Sequence, residues 1–229
     1  EHFDIHGGGA DLRFPHHDCE ISQYGACNHR PLANYWMHNA MVLVDGLKMA
    51  KSTGNFITVR NELDNGTHGE AIRLALLSSH YRSPLDWTAT LIAQARQTLA
   101  GWHLALESIE ATPQSNEHSV AIIEALGSDL NTPLAIARIH ERIGNLASDP
   151  EGVAAGVRYA AGILGLNLVD HDQYFRGFPN RSDIQMIVDE RSEARANRDF
   201  AESDRLRNIL TDMGLLVEDS GNTTKWRRI

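Results

Sequence analysis

The sequence predicts an α/β opening, a mainly α-helical stretch and a small C-terminal α+β module. Three features of the 229 residues predict it. The first 57 residues alternate short β-like pieces with loops and one helical segment, an α/β texture. From about Glu70 onward, apolar residues recur at steps of three and four. After a polar stretch near 170–182, two helical patterns precede a hairpin pattern.

In chain order, Phe3–His6 and Met41–Asp45 read as strands, and a helix is expected after Pro15. Leu91, Ala95, Leu99, Trp102, Leu106 and Ile109 form an amphipathic stripe. So do Ile136, Ile139, Ile143 and Leu146, and Val153, Val157, Ala160 and Leu164. Thr132 reads as an N-cap with Pro133 in the first helical position, and Gly165 as a helix stop. Several such helices with short connectors predict a bundle. Helices follow near 184–197 and 200–213, with Asp199 and Glu202 spaced as a capping box. Leu215–Glu218, a Ser220-Gly221-Asn222 turn and Lys225–Arg228 read as a hairpin.

A 42% hydrophobic, 22% charged composition is that of an ordinary globular chain. Apolar runs such as Met41–Val44 and Leu74–Leu77 are far too short to cross a bilayer, so no membrane partner is expected. Two cysteines, Cys19 and Cys27, predict no disulfide framework, and without a charged-then-apolar leader a cytoplasmic location is the expectation. The net charge of −9 argues against unspecific attraction to nucleic acid, while Lys225-Trp226-Arg227-Arg228 leaves room for a local basic contact. Glu1 rather than Met opens the chain, and Phe3-Asp4-Ile5 reads as mid-strand, which suggests a fragment.

Six of the twelve histidines (2, 6, 16, 17, 29 and 38) lie in the opening stretch. His6-Gly7-Gly8-Gly9 is followed closely by Pro15-His16-His17-Asp18-Cys19-Glu20. Glycines let a backbone approach a ligand closely. On a helix starting at Pro15, His16 and Glu20 share one face at a spacing that suits two ligands of one metal ion. His17 or Cys19 could replace either in another geometry. A lone His-x-x-x-Glu pair is ordinarily just hydrogen-bonded and solvated; the glycine triplet, His6 and His17 close by favour a site. A second cluster, Lys48-Met49-Ala50-Lys51-Ser52-Thr53-Gly54-Asn55, forms a cationic loop able to neutralise charge on departing pyrophosphate. A generic Lys-x-x-Lys is more often a solvated turn.

Lys48–Ser52 resembles the Lys-Met-Ser-Lys-Ser loop of class I aminoacyl-tRNA synthetases, with Ala50 in place of the usual serine. Phe3–Glu20 resembles the Phe-Asp-Ile-His-Gly-Gly-Gly-x-Asp-Leu-x-Phe-Pro-His-His-x-x-Glu stretch of cysteinyl-tRNA synthetases. Tyr35–His38, His80–Ser83, Asp129–Pro133 and the tail from Gly214 to Arg227 are similar to that family too. The resemblance implies a partial Rossmann-type catalytic domain with its lysine loop (1–57), a connecting segment (58–90), a helical bundle meeting tRNA (91–170) and an anticodon-binding module (183–229). It implies ATP-dependent activation of cysteine, with Mg2+ accompanying ATP, and transfer to tRNA-Cys by a monomer.

By motif position, His16 and Glu20 correspond to two of four zinc ligands that grip the substrate thiol, the two cysteine ligands lying upstream. A thiolate suits zinc far better than a serine hydroxyl does, so metal selection would reject serine. His6 falls near the bound amino acid, with His17 and His38 as lining groups. Lys51 corresponds to the lysine on the ATP phosphates, with Lys48 assisting. Trp226, Arg227 and Arg228 suit stacking and charge contacts with unpaired bases, although packing of Trp226 on Leu210 and Leu215 is an equal reading. With the His-x-Gly-His half absent, this chain alone is expected not to aminoacylate tRNA. Two alternatives are a cysteine ligase of mycothiol synthesis, which shares the zinc and lysine-loop motifs, and a non-catalytic tRNA-binding paralogue, which Ala50 keeps open.

Overall fold

In a computed structural model of the chain, residues 2–170, 181–212, 215–220 and 223–228 are described. The expected linker near 170–182 falls largely outside them, as do Gly221 and Asn222 of the expected turn.

The opening unit is a strand–helix–strand crossover. Strand β1 (Phe3–Gly9) pairs in parallel with β2 (Ala33–Asn39), setting His6 beside Trp36 and Gly8 beside His38. A parallel pair needs a crossover connection. Here it is a wide helical turn over Arg13–His17 leading into helix α1 (Asp18–Asn28). Phe14 remains extended at φ −141°, ψ 135°, so helical backbone begins at Pro15.

Strands β3 (Val42–Val44) and β4 (Leu47–Lys48) form a tight hairpin through Asp45 and Gly46, both at positive φ. β3 also pairs in parallel with β5 (Leu85–Trp87), across helices α2 (Val59–Asp64) and α3 (Gly69–Leu77). The sheet thus joins residues on both sides of the division expected at 57.

Four longer helices follow: α4 (Ala89–Leu106), α5 (Glu117–Gly127), α6 (Thr132–Gly144) and α7 (Pro150–Ile163). The α4 stripe buries Ala95, Leu99, Trp102 and Leu106, and the α7 stripe buries Val153, Val157, Ala160 and, just past its end, Leu164. Each large apolar side chain so buried stabilises by roughly 1.5–3 kcal/mol before entropy is counted. The α6 stripe is shallower, with Ile139 buried and Ile136, Ile143 and Leu146 only partly covered. One core runs from Val44 to Leu168. Within it, Arg158 donates to the carbonyls of Leu106, Ile109, Ala111 and Leu168 at 2.8–3.0 Å, satisfying backbone acceptors that the helix ends leave open.

The cap of α6 differs from the expectation. Asn131, not Thr132, accepts from Leu134 N–H at 3.1 Å, while Thr132 donates to Leu77 O at 2.7 Å. A threonine beside a proline fits the cap pattern locally, but its hydroxyl found a carbonyl 55 residues away. Gly165 does end α7, at φ +71°.

Two quoted motifs meet at this point. The Asp129 carboxylate accepts from Tyr81 OH at 2.7 Å and from Arg82 Nε at 2.9 Å, and His80 Nε2 lies 2.9 Å from Asp129 O. Ala40 N–H, just past β2, donates to Tyr81 O at 2.8 Å. The helical body is thereby tied to the end of the crossover unit.

The C-terminal part has its own small core. Helices α8 (Arg181–Ala196) and α9 (Phe200–Asp212) and the antiparallel strands β6 (Leu215–Ser220) and β7 (Thr223–Arg228) bury Ile184, Val188, Leu210, Leu215 and Val217. Asp199 caps α9 by accepting from Glu202 N–H at 3.1 Å. No described helix is long and apolar enough to cross a membrane.

Replacing Arg158 with methionine removes its hydrogen bonds to four carbonyls, and urea unfolding should show a loss of about 3 kcal/mol. The Tyr81 hydroxyl, with Arg82, holds the Asp129 carboxyl below its ordinary value of 3.8. A carboxyl lowered by folding stabilises above its unfolded pKa and loses that contribution as pH falls through the lower folded value. Asp129→Asn should therefore flatten the fall in melting temperature below about pH 4, the ordinary carboxylate range.

Candidate functional site

The glycine triplet, α1 and β2 assemble a cluster of imidazoles around one carboxylate. His16 Nε2 lies 3.2 Å from Glu20 Oε1, as their four-residue spacing on one helix face predicts. His6, arriving from β1, places Nε2 3.2 Å from the other oxygen, Oε2. That approach is not aligned as a hydrogen bond, and Oε2 is a buried oxygen without a hydrogen-bond partner. His17 is almost fully buried and shares a 2.9 Å hydrogen bond, Nδ1 to Nε2, with His38 of β2. Partial loss of hydration lowers the His38 pKa, and Arg13, His17, His6 and Arg82 lower it further, so the neutral ring is favoured.

Trp36 completes the cluster. Its indole stacks on His6 with centroids 4.6 Å apart and an interplanar angle of 28°, and it lies 5.2 Å from the His17 ring. The sequence reading assigned it no role, although the parallel register that pairs residue 6 with residue 36 accounts for the contact. Gly8 is required for close approach. A Cβ there would come within 2.8 Å of His17 Cε1, whereas one at Gly7 would meet only Met37 O at 3.6 Å.

Nitrogen and oxygen donors of this kind suit a divalent cation such as zinc. His6, His17 and Glu20 bring ligand atoms within 4.8 Å of one another. His16 reaches the same carboxylate from the solvent side and is 61% exposed. The unpartnered Glu20 Oε2 is the atom a cation would satisfy, so these residues fit one. Cys19 and Cys27 are both exposed.

Lys48 ends β4, and Lys51 sits on the loop that follows it. Lys51 opens a 3-10 turn ending at Gly54 (φ +70°), and its Nζ lies 5.6 Å from the centroid of the Phe56 ring. Trp226, on β7, packs against the small C-terminal core and donates from Nε1 to Gln185 Oε1 at 3.1 Å. This is the packed alternative weighed from the sequence. Arg227 and Arg228 follow on the same strand, and their side chains lie outside the described residues.

Comparison with known proteins bears on the whole chain. A family model described as the tRNA synthetases class I (C) catalytic domain matches residues 1–97, and one described as the cysteinyl-tRNA ligase anticodon binding domain matches residues 181–227. Among curated proteins, the cysteine–tRNA ligase of Paramagnetospirillum magneticum is 44% identical over 241 residues, covering 100% of this chain and 52% of the relative. That of Rhodospirillum centenum is 46% identical, covering 99% and 52%. The chain therefore spans about half the length of the curated relatives it matches. Among solved structures, the LeuRS of Agrobacterium radiobacter K84 in a ternary complex with tRNA and LeuAMS aligns with a TM-score of 0.51 at 20% identity. It covers 71% of this chain and 25% of that one, a likeness of fold.

Gly8→Ala should cost about 1–3 kcal/mol in urea unfolding, as overpacking generally does, because the buried His17 ring must move. Gly7→Ala should be nearly neutral in the same assay.

Proposed function

Because the chain belongs to the cysteinyl-tRNA ligase family, we propose that it supplies the amino-acid-selecting and tRNA-facing half of a cysteine–tRNA ligase. The reaction is ATP-dependent activation of cysteine followed by transfer to tRNA-Cys. The observation that carries the reading is the meeting of His16 and Glu20 on one side of α1, with Glu20 Oε2 left unpartnered.

His16 and Glu20 would hold zinc, together with ligands contributed from outside this chain. When bound, zinc lowers the pKa of a coordinating thiol and prefers sulfur to a hydroxyl oxygen, the chemistry that separates cysteine from serine. His6 is oriented by stacking on Trp36 and lies beside the position of the substrate. The His17–His38 pair, with His17 almost fully buried and His38 favoured neutral, lines the amino-acid site without adding a fixed charge. Lys51, with Lys48, stabilises the charge that develops on pyrophosphate as the cysteine carboxylate attacks ATP. Both lysines are present despite Ala50, so activation is slowed by the lost hydroxyl rather than abolished. Mg2+ accompanies ATP. Helices α4–α7 face the tRNA stem, and residues 183–229 read the anticodon, with Arg227 and Arg228 as the cationic contacts. Trp226, partly committed to the small core, contributes through its remaining exposed face. The match of residues 181–227 to an anticodon-binding model favours this reading over a mycothiol-type cysteine ligase.

In the full-length protein, Glu20→Gln and His16→Ala should each lower bound zinc and cysteine-dependent ATP–pyrophosphate exchange by more than about tenfold, a loss that outer-shell substitutions alone can reach. Binding of tRNA should persist. Unchanged exchange in both variants would sink the assignment. The 229-residue chain alone should show no exchange, and robust exchange by it would overturn the division of labour.

A further inference from the structure

Asn55 is half-buried beneath the lysine loop, and its carboxamide uses both of its ends there. Nδ2 donates to Lys48 O at 3.2 Å, while Oδ1 accepts from Ala50 N–H at 2.9 Å. The Thr53 hydroxyl lies 2.6 Å from Oδ1 and 2.8 Å from Ala50 O, and can donate to either. The orientation of the amide is dictated by its partners, because a backbone N–H requires the oxygen and a carbonyl requires the NH2 group. One short side chain thus spans the loop from residue 48 to residue 53. It closes on the 3-10 turn whose own bonds, Thr53 N to Ala50 O and Gly54 N to Lys51 O, are long at 3.3 Å.

We propose that Asn55 is the positioning residue of the lysine loop, holding the backbone at Lys48 and at Ala50, next to Lys51, in one fixed turn so that both ammonium groups are presented together. Fixing two charges before substrate arrives removes reorganisation at the moment charge develops, which is where electrostatic stabilisation is most effective. The side-chain requirement is specific. Aspartate keeps the acceptor for Ala50 but sets a carboxylate oxygen against Lys48 O, and alanine removes the clasp entirely. The catalytic consequence rests on the proposed function, whereas the clasp itself does not.

Two measurements separate them. In the 229-residue chain, Asn55→Ala should speed amide hydrogen exchange at Ala50 by about tenfold or more, the equivalent of one net hydrogen bond, with the unfolding midpoint lowered by no more than that bond accounts for. Asn55→Asp should keep that amide protected. In the full-length protein, Asn55→Ala should lower kcat/KM for ATP in pyrophosphate exchange by a similar factor while leaving the KM for cysteine alone, with Asn55→Asp falling between. A general structural defect would move both substrates and the unfolding midpoint together. Unaltered exchange at Ala50 overturns the clasp, and an unaltered ATP kcat/KM with a loosened Ala50 overturns its positioning role. A full-length protein without any exchange sinks the proposed function, leaving the Ala50 amide to decide the clasp.

Discussion

Glu20 is the point at which the opening unit is drawn together. Its two carboxylate oxygens face imidazoles from different elements, His16 from the turn before α1 and His6 from β1, each at 3.2 Å. A carboxylate that is one-third exposed gains little from such neighbours as isolated ion pairs, so its importance is geometric. On the other side of the same turn, His17 points inward and meets His38 and Trp36. Gly8 leaves the room that this inward ring needs.

The helical body is not merely appended to this cluster. Asp129, at the positive φ of +54°, gathers Tyr81 and Arg82, and the Tyr81 carbonyl receives the amide that follows β2. The strand that carries Trp36 and His38 is therefore held at its far end by residues more than forty positions away. Arg158 plays a comparable part inside the bundle, where one buried guanidinium satisfies four carbonyls at the ends of two chain segments. The shared core from Val44 to Leu168 makes the lysine-loop hairpin and the bundle one packed body, whereas the C-terminal helices and hairpin pack a core of their own.

Much of this was legible from periodicity. The stripes on α4 and α7 were visible because a helix repeats every 3.6 residues regardless of its neighbours, and they correspond to the buried faces observed. The hairpin near the C-terminus was visible in its turn residues. Less legible were short elements such as β5 and α2, which carry too few residues to display a period. The cap of α6 was misplaced by one residue because Asn131 and Thr132 are both good caps, and only the carbonyl of Leu77 distinguishes them.

The sequence by itself determined the His16–Glu20 pair, the lysine loop and the helical texture, since each depends on spacing along a single element. The tertiary structure decided which other groups join them. Trp36 beside His6 follows from parallel register, His38 beside His17 from packing of the turn before α1 on β2, and Asp129 beside Arg82 from packing between distant loops. Such contacts link residues tens of positions apart, and their energies come from how surfaces fit together, a property that no local pattern of residues encodes.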